Sequence, residues 1–418
     1  MARAMRAGLG STDMFDFRNF FAEKLQALRR ERRYRRFRVL ERSAGQFPHV
    51  RWIAPDGKVQ QVVVWCSNDY LGMSQHPVVI DAARQALGRY GAGAGGTRNI
   101  SGTHEVIVAL EAELASLHRK SGALVFSSGY VANDTTLATL GRHLPGCVFF
   151  SDANNHASMI EGMRRSGARC EVFAHNDPES LQRLLANGDP RAARVVAFES
   201  LYSMDGDLAP IAQLTAVARR HGALVFLDET HAVGVHGPGG AGLAAQAGLQ
   251  DQIDILQGGL GKGYGSVGGF IAANAEIADF LRSYAPGFIF TTTLPPSVVA
   301  GALASVRHLR HSEQERRQLF ERVQCVRTNL LAAELGLMAT ATQILPMIIG
   351  DAGNCDRLAD RLIERQRIYL QPVNYPTVPR GTERFRITPT ALHTDVMAQQ
   401  LVAALTAELK RLDNAHAA

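Results

Sequence analysis

A lysine and an aspartate are the residues of this chain whose types and settings most clearly suit one kind of chemistry. Lys262 stands in the glycine-rich run Gly258–Gly265, where its amine is sterically open. Asp228 follows the apolar run Ala223–Leu227, which is typical of a buried strand. Pyridoxal phosphate (PLP) needs an amine for its aldehyde and a carboxylate for its protonated ring nitrogen. The pair therefore predicts a PLP site, although a lysine in a glycine-rich turn could also be merely solvated.

Other polar groups also follow apolar, strand-like runs. Ser128 ends one such run and precedes a predicted helix over Val131–Leu140, so it could cap that helix or help its N-terminus bind a phosphate. His156 follows another run, where an imidazole could stack on a pyridine ring or be structural, and Ser203 follows a third. Ligands of open α/β sheets bind beyond the carboxyl ends of the strands. We therefore expect these groups to converge on one edge with Asp228, and Lys262 to follow the next strand.

The elements that must position these residues alternate between strands and helices. The predicted strands of the main sheet are Ala123–Phe126, Val148–Phe150, Glu171–Phe173, Val195–Glu199, Ala223–Leu227 and Ile253–Leu256. Several are continuously apolar, which indicates a parallel sheet buried on both faces. We predict helices over Phe15–Arg38, Pro77–Tyr90, Glu105–His118, Pro296–Leu335 and Asp395–Leu412, and further strands at Val62–Cys66, Gln343–Ile349 and Arg384–Thr388.

Bulk properties exclude several classes of protein. The chain has 418 residues, 46% of them hydrophobic, and no apolar run long enough to span a bilayer. Its net charge of +6 is carried by Arg29–Arg38 alone, so a domain-wide basic face for nucleic acid is not expected. That segment is either a solvated helix face or a site for an anionic substrate such as an acyl-CoA. Five scattered cysteines and no clear secretory signal in the first twelve residues favour a cytoplasmic setting.

Several motifs together resemble one enzyme family. They are Asn68–Gly72 (NDYLG), Ser203–Gly206 (SMDG), Asp228–Gly234 (DETHAVG) and Leu260–Lys262 (LGK), and they are similar to the α-oxoamine synthase family of fold-type I PLP enzymes. Four further segments resemble the branch that joins glycine to succinyl-CoA: Arg33–Arg35, Gly93–Thr103, Arg282–Thr292 and Asn374–Gly381. The likeness runs from about Phe17 to Leu412, nearly the whole chain.

The resemblance implies an architecture. It implies an α/β fold of fold type I: a mainly parallel seven-stranded sheet with helices on both faces, and a smaller C-terminal α+β domain. We expect an N-terminal helix with short strands in residues 1–60, a large PLP-binding domain in 61–295 and the small domain in 296–418. The family also implies a homodimer with shared active sites, and no nucleic-acid or membrane partner.

The resemblance also assigns roles to individual residues. The implied catalytic residues are Lys262, His156 and Asp228. Those expected to hold PLP are Ser128, Gly129, Tyr130, His156, Ser203, Asp228, His231 and Lys262, joined by Thr291 and Thr292 of a second subunit. Those expected to bind substrate are Arg386 for the glycine carboxylate, Arg35, Thr97 and Asn99 for the succinyl carboxylate, and Thr377 beside the acyl pocket. No metal ligand is expected.

The implied activity is the PLP-dependent condensation of glycine with succinyl-CoA, which gives 5-aminolevulinate, CoA and CO2. This product is a tetrapyrrole precursor, for haem or for a specialised pathway. Three positions depart from the family pattern: Gly259 where the family has Thr or Ser, Ile107 where it has His, and Thr230 where this branch often has Val. Two alternatives stay open, namely another α-oxoamine synthase with a different acyl-CoA or amino acid, and a non-catalytic partner subunit.

Overall fold

The structure, a computed structural model, describes residues 15–417. Its helices are α1 (Phe17–Arg30), α2 (Pro77–Tyr90), α3 (Glu105–Leu117), α4 (Gly129–His143), α5 (Ala157–Ser166), α6 (Pro178–Asn187), α7 (Ile211–Arg220), α8 (Leu243–Gln246), α9 (Ala275–Tyr284), α10 (Pro286–Ile289), α11 (Pro296–His311), α12 (Gln314–Ala332), α13 (Ala352–Gln366) and α14 (Asp395–Ala417). Its strands are β1 (Val39–Glu41), β2 (His49–Ile53), β3 (Val59–Val64), β4 (Gly122–Phe126), β5 (Val148–Asp152), β6 (Arg169–Phe173), β7 (Arg194–Glu199), β8 (Leu224–Asp228), β9 (Ile255–Gly259), β10 (Gly269–Ala273), β11 (Leu345–Ile348), β12 (Ile368–Tyr369), β13 (Pro372–Val373) and β14 (Arg384–Ile387).

A seven-stranded sheet forms the centre of the molecule, in the order β4-β10-β9-β8-β7-β5-β6. All neighbouring strands run parallel except β10, which is antiparallel to both β4 and β9. Alternate residues of one strand enter different cores: Val225 and Leu227 belong to one hydrophobic cluster, and Phe226 belongs to another. Because successive side chains of a strand point to opposite faces, both faces of the sheet are covered. The expected mainly parallel, seven-stranded, doubly covered sheet is confirmed.

Two smaller sheets flank the centre. One has the order β1-β2-β3-β12, so the N-terminal strands are joined to a strand from the C-terminal part, with Val63 and Val64 paired to Ile368 and Tyr369. The other, β11-β14-β13, is antiparallel. The expected boundaries after residues 60 and 295 stay a prediction, and β3 runs across the first of them.

The N-terminal helix is shorter than its sequence pattern suggested. The prediction of one helix over 15–38 was wrong beyond Arg30, where α1 ends. The next residues continue without regular structure, and Arg32 has a left-handed φ of 54°. Arg36 and Arg38 both form ion pairs with Asp360 on α13. Clustered arginines repel one another on a helix, so these tertiary ion pairs favour the extended path.

Among the described helices, none has the length and apolar character to cross a membrane.

Candidate active site

The carboxyl ends of β7, β8 and β9 meet at one edge of the central sheet. Asp228 ends β8 and lies in register beside Glu199, which ends β7. The Asp228 carboxylate is buried, and both of its oxygens accept hydrogen bonds: Oδ1 from the Thr230 backbone N–H at 2.7 Å and Oδ2 from Asn133 Nδ2 at 2.7 Å. Asn133 lies on α4. These two donors fix the orientation of the carboxylate.

A chain of hydrogen bonds runs from Asp228 to His156. Asn133 Nδ2 also donates to Ser158 Oγ at 3.0 Å, and Ser158 Oγ lies 2.7 Å from His156 Nδ1. His156 is the N-cap of α5 and accepts the Ser158 backbone N–H. As a whole residue, His156 is nevertheless exposed. The chain therefore holds one edge of the imidazole and leaves the rest of the ring open for contact with a ligand.

His231 is held in one tautomer by two neighbours. Arg386 Nη2 donates to Tyr70 Oη at 2.6 Å, and Tyr70 Oη lies 2.8 Å from His231 Nδ1. A guanidinium only donates, so the Tyr70 hydroxyl is left to donate to Nδ1, and the ring proton resides on Nε2. Burial lowers the pKa of His231 well below its usual value, and the charges of Lys262 and Arg386 lower it further. His231 is thus a neutral ring with an Nε2–H donor.

Lys262 lies beyond β9 at the same edge and is half-buried. Its withdrawal from water, reinforced by the positive charge of Arg386, lowers the pKa of its amine to about 8, while Asp228 and Glu199 oppose that shift. Near neutral pH an appreciable fraction of the amine is therefore uncharged and nucleophilic. A cavity of about 310 Å³ joins the predicted residues Ser128, Gly129, Tyr130, His156, Asp228, His231 and Lys262.

One end of this cavity is the N-terminus of α4. Ser128 Oγ accepts the backbone N–H of Val131 at 3.1 Å, so the serine caps the helix. The first N–H groups of a helix have no partner within it, so those of Gly129 and Tyr130 are available to an anion. Gly269 packs closely here, because a Cβ on it would lie only 2.4 Å from Gly129 Cα. Backbone donors in a tight cradle suit a phosphate.

Three of the expected cofactor residues do not line this cavity: Ser203, Thr291 and Thr292. Thr292 instead pairs with Thr97 in an antiparallel bridge, and Asn99 on the same loop as Thr97 is exposed. Thr291 and Thr292 were expected to serve the site of a second subunit, so their place outside this subunit's cavity leaves that expectation open.

The residues expected to bind substrate lie in three places. Arg386 is buried beside the cavity, and its Nη1 donates to Asn68 Oδ1 at 3.0 Å. Arg35 Nη2 donates to Thr377 Oγ1 at 3.2 Å, at a second, arginine-rich cavity of about 480 Å³. The third place is the loop of Thr97 and Asn99. Arg35 and Thr377, far apart in sequence, are thus brought together.

Sequence reasoning did not identify four residues of this edge: Tyr70, Asn133, Ser158 and Glu199. Burial and the neighbouring Asp228 raise the pKa of Glu199 well above its usual value, so its carboxyl favours the neutral form. Glu199 could have been predicted, because the carboxyl ends of neighbouring parallel strands lie at the same edge. Tyr70 could not, because its role depends on a contact with His231, 161 residues further along the chain.

The departure at Ile107 lies in the hydrophobic core. Its side chain is fully buried on α3, in the larger hydrophobic cluster, so it makes no polar contribution to the site.

The residues at this edge fit PLP. An amine of lowered pKa, a fixed carboxylate, an open imidazole and a helix N-terminus surround one cavity, and they match the aldehyde, ring nitrogen, ring face and phosphate of that cofactor. Asn133 Oδ1 and Arg386 Nε are buried and have no hydrogen-bond partner among the described residues, which leaves unsatisfied polar atoms around the site.

Comparisons with known proteins agree with this chemistry. Residues 60–405 match the family model described as aminotransferase class I and II. A 5-aminolevulinate synthase of Bradyrhizobium diazoefficiens is 51% identical over 397 residues, which cover 95% of this chain and 97% of that protein. 5-Aminolevulinate synthase 2 of Cereibacter sphaeroides is 50% identical over 392 residues, with 94% and 96% covered.

Solved structures give the same picture of the fold. A serine palmitoyltransferase of Sphingomonas wittichii is 30% identical, covers 96% of this chain and 98% of its own, and superposes with a TM-score of 0.85. A structure of SPT with PLP is 31% identical, with 94% and 96% covered and a TM-score of 0.85.

Proposed function

Because this chain belongs to the aminotransferase class I and II family and, within it, to the 5-aminolevulinate synthases, we propose that it condenses glycine with succinyl-CoA to give 5-aminolevulinate, CoA and CO2. It is a PLP-dependent acyltransferase, and its product feeds tetrapyrrole and haem synthesis. The observation that carries the proposal is the single cavity around which Lys262, Asp228, His156 and His231 converge.

When bound, PLP supplies a ring that withdraws electrons from the Cα of glycine. Asp228 would hold the positive charge of the ring nitrogen, since its carboxylate is buried and fixed by Asn133. The Lys262 amine would attach the cofactor and then take the proton from glycine Cα, for which a pKa of about 8 is suitable. His156 would pack on the ring face, and the His231 Nε2–H would donate to the phenolic oxygen. Ser203 was expected to donate there as well, but it does not line the cavity.

The glycine carboxylate has a matching partner in Arg386. Its Nη groups are engaged with Asn68 and Tyr70, whereas its buried Nε–H has no partner among the described residues. A buried guanidinium donor without an acceptor is costly, and a carboxylate is the acceptor that suits it best. We therefore assign Arg386 to the amino-acid substrate.

The acyl group would be held by Arg35, Thr377, Thr97 and Asn99. Arg35 is already oriented by its hydrogen bond to Thr377, in an arginine-rich cavity that suits a short dicarboxylic acyl group better than a fatty one. The acyltransferases of known structure that resemble this chain include serine palmitoyltransferases, so a different acyl-CoA is the alternative to test. The convergence of Lys262, Asp228 and His156 argues against a non-catalytic partner subunit.

We further propose a homodimer with shared active sites. The loop that carries Thr97 and Asn99 lies against Thr292, and large apolar side chains beside these residues are exposed: Ile100 at 69% and Phe290 at 78%. A second copy of the chain would cover these side chains. Thr291 and Thr292 of each subunit would then reach the PLP phosphate of the other subunit. All five cysteines are free thiols, which supports a cytoplasmic location.

The experiment that tests the acyl preference is Arg35→Leu. Losing a charge-assisted contact should raise the KM for succinyl-CoA roughly tenfold to a hundredfold and leave the KM for glycine almost unchanged. Arg36→Leu is the matched control, since it removes the same charge from a side chain that is paired with Asp360 instead. Steady-state kinetics with succinyl-CoA and with the uncharged butyryl-CoA provide the measurement. Equal losses for both acyl groups would refute a carboxylate-binding role for Arg35.

A further inference from the structure

Two departures from the family pattern, Gly259 and Thr230, lie against each other. Gly259 ends β9, three residues before Lys262, and its φ is not in the left-handed region that favours glycine. A Cβ on Gly259 would lie 2.8 Å from Thr230 Cγ2, which is closer than two such carbon atoms can approach. With the Thr230 side chain as it stands, a β-carbon at 259 is therefore disfavoured by that side chain and not by the backbone.

Thr230 is fixed at the phosphate end of the cavity. Its backbone N–H donates to Asp228 Oδ1, and its Oγ1 donates to Gln257 Oε1 at 2.9 Å. A Cβ on Gly129, the first residue of α4, would lie 3.9 Å from Thr230 Oγ1. The hydroxyl thus faces the helix N-terminus that suits a phosphate, and Thr230 lines the cavity.

We propose that Thr230, in the segment after β8, supplies a hydroxyl that donates to the PLP phosphate. A phosphate dianion is a stronger acceptor than the Gln257 amide oxygen, and charge-assisted hydrogen bonds are about twice as strong as neutral ones. The Oγ1 proton therefore turns from Gln257 to the phosphate when the cofactor binds. Gly259 leaves room for the Thr230 methyl group in this side-chain orientation, which directs Oγ1 towards Gln257 and the N-terminus of α4.

The role of the hydroxyl is tested by Thr230→Val and Thr230→Ser. Valine keeps the shape and removes the hydroxyl, whereas serine keeps the hydroxyl and removes the methyl group. We expect Thr230→Val to weaken PLP binding to the apo-protein about tenfold and Thr230→Ser to leave it within about twofold of the native value. Pyridoxal, which has no phosphate, is the matched ligand, and its affinity should be equal in all three proteins. Equal losses for PLP and pyridoxal, or no loss of PLP affinity in Thr230→Val, would overturn the proposal.

The packing of the pair is tested by a double-mutant cycle with Gly259→Ala and Thr230→Ser. These changes add only the Cβ at 259 and remove only the Cγ2 at 230, the two atoms that would collide. Thermal unfolding of the four apo-proteins should show that Gly259→Ala lowers the Tm in the native background and lowers it much less when it is combined with Thr230→Ser. Additive effects would contradict the claim that Gly259 makes room for Thr230.

The inference rests on the cofactor of the proposed function and not on its substrates. Both tests measure PLP binding and apo-protein stability without glycine or acyl-CoA. If the native protein bound PLP as described but made no 5-aminolevulinate, the proposed substrates would be wrong and the assignment of Thr230 would stand. If the native protein made 5-aminolevulinate but Thr230→Val weakened the binding of PLP and pyridoxal equally, only the assignment of Thr230 would be wrong.

Discussion

Lys262 shows how single residues of the site are tuned by their surroundings. Its amine must lose a proton before it can attack an aldehyde, and an ordinary lysine is almost wholly charged at neutral pH. Withdrawal from water and the charge of Arg386 lower its pKa to about 8. The same arginine also contacts Tyr70, which fixes His231. The buried Arg386 guanidinium therefore affects both the pKa of the Lys262 amine and the orientation of the His231 Nε2–H donor.

This tuning predicts how cofactor attachment depends on pH. The rate at which the apo-protein binds PLP covalently should rise as pH rises through about 8, since only the neutral Lys262 amine reacts. Arg386→Gln removes a charge that lowers this pKa, so its profile should move to higher pH. Stopped-flow absorbance with PLP provides the measurement. A rate that stays constant over this range in the native protein would contradict the pKa assignment.

The residue types in the sequence predicted the reactive residues of the site, but not the residues that hold them in place. Lys262 and Asp228 could be predicted because their settings after apolar runs are local features of the sequence. Asn133 could not, because its role depends on the phase of α4 and on a hydrogen bond to a residue 95 positions away. Thr230 and Gly259 were noted only as departures, since no pattern in the sequence reveals that their side-chain positions overlap.

At the scale of elements, His175 ties three segments beside the site. Its Nδ1 lies 2.8 Å from Asp152 Oδ1 at the end of β5, and its Nε2 lies 2.8 Å from Asp207 Oδ2 in the segment after β7. Although burial disfavours its charge, the hydrogen bonds to the two carboxylates outweigh that effect and raise the pKa of His175 to about 10. His175 itself follows β6. Its imidazolium therefore joins the ends of β5 and β6 to the loop that carries Ser203.

The raised pKa predicts a stability change with a definite sign. Because the folded value lies above the unfolded value of 6.5, the contribution is fully present below pH 6.5 and is lost as pH rises through about 10. His175→Gln should lower the free energy of unfolding by roughly 1.5–3 kcal/mol at neutral pH. The difference between the two proteins, measured by urea unfolding, should shrink towards high pH. A difference that grows with pH would contradict this assignment.

Elements were predicted well where the sequence pattern is local. The alternation of short, mostly apolar runs with helical patterns gave six of the seven central strands. The seventh, β10 (Gly269–Ala273), was missed because three of its five residues are Gly or Ala and it continues directly from a glycine-rich loop, so it offers few strand-forming side chains. The end of α1 was misjudged for a different reason, since Asp360 binds Arg36 and Arg38 from another part of the chain.

At the scale of the whole molecule, the proposed homodimer makes the active site a joint property of two chains. It predicts complementation between Lys262→Ala and the double variant Thr291→Val/Thr292→Val. Each variant alone should be inactive or weak at limiting PLP. Random reassociation of an equal mixture should restore about a quarter of the native sites, because half of the dimers are hybrids and each hybrid has one complete site. Activity no higher than the mean of the two separate variants would contradict shared sites.

The proposed reaction is tested most directly by following one carbon atom of glycine. The purified protein, loaded with PLP, is incubated with succinyl-CoA and glycine labelled at its carboxyl carbon, and both the CO2 and the 5-aminolevulinate are analysed; Lys262→Ala serves as the control. We predict that the label appears in CO2, that 5-aminolevulinate forms without label in equal amount, and that the variant forms neither. A product that keeps the label, or the absence of 5-aminolevulinate from the native protein, would contradict it.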